Sequence, residues 1–255
     1  MAQSESRGRG RIGIVVPVSN TNLEPDMVML RPAGVSLHVA RAGGYGLDRI
    51  PDARQMRQFA EASLDEVVDS LAAALVDVVL YGCTSATLAH GPAFDRAFQA
   101  KIEARAGKPA VTAAGAVAEA LRDLGIERIA FCSPYTHELN AEAMKFLKLS
   151  GIDPVSDAYV GEDLGNYGQG ALTPHEVFEL ACRADSSRAQ AVVLSCTDMR
   201  SVEAIEAIEA ALGKPVVSSN QALMHVAIKR LGLLCATVPG ALGRSECPGQ
   251  LAAAG

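Results

Sequence analysis

The chain has 255 residues, enough for one large domain or two small ones with a sizeable core. Its net charge of −6, a 4% aromatic content and the lack of any Lys/Arg run argue against nucleic-acid binding. No apolar run reaches the roughly 18–20 residues that cross a bilayer, and the polar, basic stretch Met1–Arg11 has no apolar segment after it. No signal peptide or membrane partner is therefore expected, and the cytoplasm is the expected compartment.

In chain order, strands are predicted at Ile12–Val16 and Ser36–Ala40. A helix over Gln55–Ala74 and a strand at Val76–Tyr81 follow, then a helix over Ala93–Ala106 and a strand at Ala110–Thr112. Next come a helix at Ala113–Leu124, a strand at Arg128–Cys132, and helices at Asn140–Ser150 and Pro174–Ala184. The chain ends with a strand at Ala191–Ser195, a helix at Ser201–Leu212, a strand at Pro215–Ser218 and a helix at Gln221–Leu231. The strands are short β-branched runs, and the helices carry apolar residues at a spacing near 3.6. Such alternation implies an α/β fold with parallel sheets, whose ligands sit just beyond the strand ends.

Three pairs of segments repeat in the same order. Arg11–Pro17 parallels Arg128–Pro134, and Gly107–Thr112 parallels Gly213–Ser218. Val79-Leu80-Tyr81-Gly82-Cys83-Thr84 parallels Val193-Leu194-Ser195-Cys196-Thr197 with a one-residue difference around the glycine. A repeat unit of more than ~100 residues is a duplicated domain rather than a solenoid. We expect two pseudo-symmetric α/β halves with a site between them. The first half takes residues 11–115 and 215–235 and the second takes 116–214, with loosely ordered ends at 1–10 and 236–255.

Cys83 and Cys196 fall at equivalent strand ends, each followed by Thr and a helical segment. A helix N-terminus favours an anion, whether thiolate or substrate carboxylate. A thiol of tuned pKa acts as nucleophile, acid or base. An isolated buried cysteine is usually inert, but two in equivalent positions point to chemistry. Cys132 within a strand, Cys182 on an apolar helix face, and Cys235 and Cys247 near or in the tail are expected to be inert. With no Cys-x-x-Cys pair and no His/Cys zinc spacing, neither metal nor cofactor is expected.

The loop Pro17–Asn22 supplies small polar groups that can hold a carboxylate or cap a helix. In the second half, Ser133-Pro134-Tyr135-Thr136 offers a hydroxyl at Tyr135 that can orient a carboxylate or simply pack. Gly161–Gly170 could present Asn166 to the site, and Ala42–Gly46 could form a lid. The five histidines share no spacing, and no serine-hydrolase elbow is present.

The motifs Pro17-Val18-Ser19-Asn20-Thr21, Tyr81-Gly82-Cys83-Thr84-Ser85 and Leu194-Ser195-Cys196-Thr197, with Pro215–Gln221 downstream, resemble the maleate cis–trans isomerases. These belong to the aspartate/glutamate racemase superfamily, beside arylmalonate decarboxylase and hydantoin racemase. The resemblance runs from about Arg11 to Gly232. It implies a two-half α/β fold, a small dicarboxylate substrate and no cofactor. It makes Cys83 the nucleophile and Cys196 the acid/base, with Asn20, Tyr135, Asn166, Thr84 and Thr197 around the substrate. Decarboxylases of the superfamily keep only the second cysteine, and amino-acid racemases usually carry Asn-Thr where this chain has Thr84-Ser85. The remaining readings are a two-base racemase or epimerase of an amino acid or hydantoin, a decarboxylase, and a non-catalytic carboxylate binder. Apolar helices flanking the sheets suggest a homodimer.

Overall fold

A computed structural model describes residues 8–43, 55, 58, 64–233 and 238–244. The first half runs β1 (Gly10–Pro17), α1 (Leu23–Leu30), β2 (Val35–Ala42), α2 (Leu64–Ala73), β3 (Val78–Tyr81), α3 (Thr84–Leu88), α4 (Gly91–Ala106), β4 (Ala110–Thr112) and α5 (Ala113–Asp123). The second half runs β5 (Arg128–Thr136), α6 (His137–Leu149), β6 (Asp153–Gly161), α7 (Gly165–Ala171), α8 (Pro174–Ala184) and β7 (Ala191–Leu194). After a 3₁₀ turn at Val202–Ala204 come α9 (Ile205–Leu212), β8 (Val216–Ser218), α10 (Ser219–Arg230) and α11 (Gly240–Arg244).

The strands form two four-stranded sheets, ordered β2-β1-β3-β4 and β6-β5-β7-β8, with every pairing parallel. Alternate residues of the strands bury on opposite faces. Ile12, Ile14, Val78 and Leu80 join a core shared with the second half. Val15, Val79 and Tyr81 pack instead against Phe98 and Ile102 of α4 and Val68 and Leu71 of α2. Apolar cover on both faces is why these strands read as unbroken hydrophobic runs.

The register corrects the repeat alignment. Val15 pairs with Tyr81 as Cys132 pairs with Leu194, and Tyr81 pairs with Thr112 as Leu194 pairs with Ser218. Gly82 and Ser195 are therefore equivalent, with no slipped residue. Their backbone N–H groups donate to equivalent carbonyls, Val15 at 2.9 Å and Cys132 at 2.8 Å.

The expected boundary at residue 215 also shifts, because β8 hydrogen-bonds to β7 and so completes the second sheet. The helix after it, α10, packs along α5, so the two capped helices form the seam between halves. Thr112 Oγ1 accepts from Gly115 N at 3.1 Å, and Ser218 with Gln221 makes a full capping box. Across this seam Glu119 accepts from Lys229 and Arg230, and Asp123 pairs with His225.

The chain beyond residue 236 is not uniformly loose. Val238 and Leu242 are buried, Gln221 donates to the Pro239 carbonyl at 2.8 Å, and Glu209 accepts from Ala241 N at the start of α11. At the other end, Gly10 already belongs to β1. Most of the expected helix at Gln55–Ala74 before Leu64, and the expected lid residues Gly44–Gly46, lie outside the described residues.

Candidate active site

The two cysteines stand at equivalent strand ends, but only the first meets a helix N-terminus as expected. Cys83 is the N-cap of α3, whereas Cys196 follows β7 by two residues into a non-helical turn that reaches helix only at the 3₁₀ turn Val202–Ala204. The first turn demands glycine before its cysteine: a Cβ on Gly82 would lie 2.1 Å from Leu23 Cδ2 and 2.9 Å from the Val15 carbonyl. At the equivalent place in the second half, Ser195 instead sets its Oγ 3.4 Å from the Tyr135 hydroxyl.

The threonine after each cysteine reaches across the seam. Thr197 Oγ1 donates to the Gly82 carbonyl at 2.9 Å, and Thr84 Oγ1 donates to Ser219 Oγ at 3.1 Å. Asn20 Nδ2 donates to Thr197 Oγ1 at 3.1 Å, while Asn20 Oδ1 accepts from the N–H groups of Asn22 and Leu23. The Asn20 carboxamide thus caps α1 and ties the halves together, and both threonine hydroxyls are similarly engaged. Asn166 lies in α7, and its side chain is outside the description.

Tyr135 is 1% exposed and senses both thiols. Burial holds its hydroxyl well above the usual tyrosine range, and nearby charge at Cys196 and Cys83 adds to the effect. It is therefore a neutral hydrogen-bond donor at any ordinary pH.

The two thiols differ in their surroundings. Burial pushes Cys83 up, opposed by the Ser85 hydroxyl at 3.6 Å and the N–H groups of Ala86 and Ser85. Burial also pushes Cys196 up, and there the Asp198 carboxylate pushes in the same direction. Cys196 donates to Gln169 Oε1 at 3.1 Å and accepts from Asp198 N at 3.3 Å. Both sulfurs accept from backbone N–H groups of the following turn, Ser85 and Ala86 at Cys83 and Asp198 and Met199 at Cys196. They differ in their side-chain neighbours, the Ser85 hydroxyl at the first and the Gln169 carboxamide oxygen and Asp198 carboxylate at the second.

Several of these partners escape sequence reading. Asp198 accepts from the backbone N–H groups of Thr21 at 2.8 Å and Asn22 at 3.1 Å, groups that could otherwise hold a carboxylate ligand. Asn22 Nδ2 donates to the carbonyls of Asp198 and Gly170, bringing α7 and Gln169 onto Cys196. Gly170 must be glycine for that approach, since a Cβ there would come within 3.1 Å of Asn22 Nδ2 and both Asp198 carboxylate oxygens. The Gly-rich stretch at 161–170 carried the available signal, but it pointed to Asn166 rather than Gln169.

The remaining described cysteines lie apart from this centre. Cys132 is buried inside β5, its thiol pushed up chiefly by burial. Cys182 sits on the exposed face of α8 rather than on an apolar one, because Val177, Leu180, Ala181 and Ala184 form the buried stripe. Cys235 and Cys247 lie outside the described residues. Among the described residues no cluster of three or more His, Cys, Asp or Glu could hold a metal ion, and no helix is long and apolar enough to cross a membrane.

Residues 12–242 match the family profile described as arylmalonate decarboxylase. The chain is 30% identical to a maleate isomerase of Geobacillus stearothermophilus over 237 residues, 88% of this chain and 92% of that one. It is likewise 30% identical to a maleate isomerase of Nocardia farcinica over 246 residues, 92% and 94% of the two chains. A solved structure of the Nocardia farcinica maleate cis–trans isomerase, a cysteine-to-serine variant with a covalently bound succinylcysteine intermediate, superposes with a TM-score of 0.84. It is 27% identical and covers 93% of this chain and 99% of its own.

Proposed function

This chain belongs to the arylmalonate decarboxylase family, and from that premise we propose that it isomerises maleate to fumarate, with Cys83 as nucleophile and Cys196 as acid/base. The observation that carries the reading is the pair of thiols on equivalent strand ends, both within electrostatic reach of Tyr135, in unlike surroundings. The maleate isomerases among its relatives, and the succinylcysteine held by one of them, support the same chemistry.

The Cys83 thiolate adds to one alkene carbon of maleate. The π pair moves to the neighbouring carbon, which takes the proton of the Cys196 thiol, leaving a succinyl thioether on Cys83. Its central C–C bond is single and rotates. The Cys196 thiolate then removes a proton from that carbon, the alkene re-forms in the trans geometry, and the C–S bond breaks to return Cys83 as thiolate. Charge that develops beside a carboxylate is stabilised by donors fixed in advance. Tyr135, Asn20 and Asn166 take that role, while Thr84 and Thr197 fix the spacing of the two cysteine turns. The cycle consumes no oxidant and balances its protons between two thiols, so we assign it no cofactor. We place the enzyme in the cytoplasm as a homodimer.

The test follows maleate by proton NMR with wild type, Cys83→Ser and Cys196→Ser. Wild type should produce fumarate, and each variant should lose at least ~10³-fold in rate. Maleate left unchanged by the wild type would sink the isomerase reading. The match to a decarboxylase family favours one competitor, so an arylmalonate in a parallel tube, releasing carbon dioxide, would replace it.

A further inference from the structure

We propose that Asp198 is a positioning residue of this reaction: its carboxylate clamps the Asn20–Asn22 loop onto the second half, and its negative charge keeps Cys196 in the thiol form that delivers the proton. The consequence for turnover rests on the isomerase reading above. The effect on the thiol does not.

The geometry is specific. Asp198 lies two residues beyond Cys196 and is 6% exposed. Its Oδ1 accepts from Thr21 N, Asn22 N, Asn22 Nδ2 and Thr21 Oγ1 at 2.8, 3.1, 3.2 and 3.5 Å; burial raises its pKa, and these four donors oppose that rise and favour the carboxylate. An anion fixed this close to a buried thiol makes a second negative charge costly. The clamp acts further through Asn22, which also binds Gly170 and so seats Gln169 as acceptor of the Cys196 proton. No equivalent exists at the first cysteine, where the residue two positions on is Ser85, an uncharged hydroxyl 3.6 Å from the sulfur.

Of the other groups facing Cys196, Tyr135 from β5 is neutral and Gln169 from α7 is uncharged, while Cys83 from the end of β3 acts in the same direction as Asp198 and is removed in the Cys83→Ala background used below. Behind Asp198 stands Asp26 of α1, itself pushed up to about 7 chiefly by burial. Arg200 and Glu203 lie beyond it and pair with each other at 2.9 Å.

The test measures alkylation of Cys196 by iodoacetamide in a Cys83→Ala background from pH 7 to 10, read by peptide mass spectrometry so that the other cysteines do not interfere. Asp198→Asn should accelerate Cys196 alkylation on the order of tenfold, the equivalent of one pKa unit. Asn22→Ala breaks the same clamp but leaves the carboxylate in place, and it should change the rate less than about twofold. Equal acceleration by both variants, or none by Asp198→Asn, overturns the proposal. Should Asp198→Asn fail to fold, Asp198→Ser provides the same comparison. With maleate, Asp198→Asn should lower kcat more than it changes KM. The high-pH limb of the rate profile, where Cys196 loses its proton, should move about one unit lower. If wild type does not turn over maleate, only the isomerase reading fails, and the alkylation rates still decide the role of Asp198.

Discussion

A carboxyl group buried at the seam links the site to stability. Asp26, 2% exposed, accepts from Asn220 Nδ2 at 2.7 Å, and Asn220 in turn binds the Thr197 carbonyl at 3.0 Å. Burial raises the Asp26 pKa from 3.8 to about 7. A carboxyl with a raised folded pKa binds its proton more tightly in the native state than in the unfolded chain. Its stabilising contribution is present below about pH 4 and is lost as pH rises toward 7. Asp26→Asn keeps an acceptor for Asn220 and removes the buried charge. The variant should match wild type near pH 4 and exceed it by up to about 4 kcal/mol at pH 8, with the gap opening between those limits. Urea melts of both proteins across that range check it, and a constant gap would mean that Asp26 does not titrate there. None of this was visible in the sequence, where Asp26 falls outside every predicted element and motif.

Secondary-structure elements were legible where their patterns were strong. All seven strands expected from β-branched runs occur: six are buried almost throughout and show no polar alternation, while the edge strand β2, with Val39 and Arg41 exposed, registers through Leu37 and Val39. The eighth, β6, was missed. It is an edge strand, mostly half-buried, with Pro154 and Asp157 interrupting any apolar run. The short helices α1 and α7 were missed because eight and seven residues leave too few turns for a period to register, whereas the five-residue α3 lies after Cys83, where a helical segment was expected. Yet α1 defines the cysteine turn through Leu23, which occupies the volume a side chain at Gly82 would need. Gly82→Ala should therefore cost about 1–3 kcal/mol and displace Cys83. Adding Leu23→Ala to that variant should recover part of the lost activity even as it opens a cavity elsewhere. Thermal melts and rates on the four proteins of this cycle separate the two effects, and strict additivity would rule out the contact as the cause.

At the scale of the molecule, the duplication was readable and its joinery was not. Three repeated motifs in one order predict two halves with facing cysteines, and the strand registers superimpose them without a slip. What fastens the halves depends on pairs separated by more than a hundred residues, such as Asn20 with Thr197, Thr197 with Gly82 and Asn220 with Asp26. Polar residues of these types carry no period that could announce such partners. The same argument bears on assembly. Val28 and Met29 on α1 are 56% and 53% exposed, and Val39 on the adjoining β2 is 43% exposed. Large apolar side chains gathered on neighbouring elements suit burial by a second copy, with a C2 contact in which α1 meets its own equivalent. Light scattering should then give twice the chain's 26.6 kDa, and Met29→Glu should shift the population to monomer. Met29 lies on the helix that shapes the first cysteine turn, so a monomer with reduced turnover would mean that the contact supports the site. A monomeric wild type would leave α1 a solvent-facing helix and remove the homodimer from the proposal.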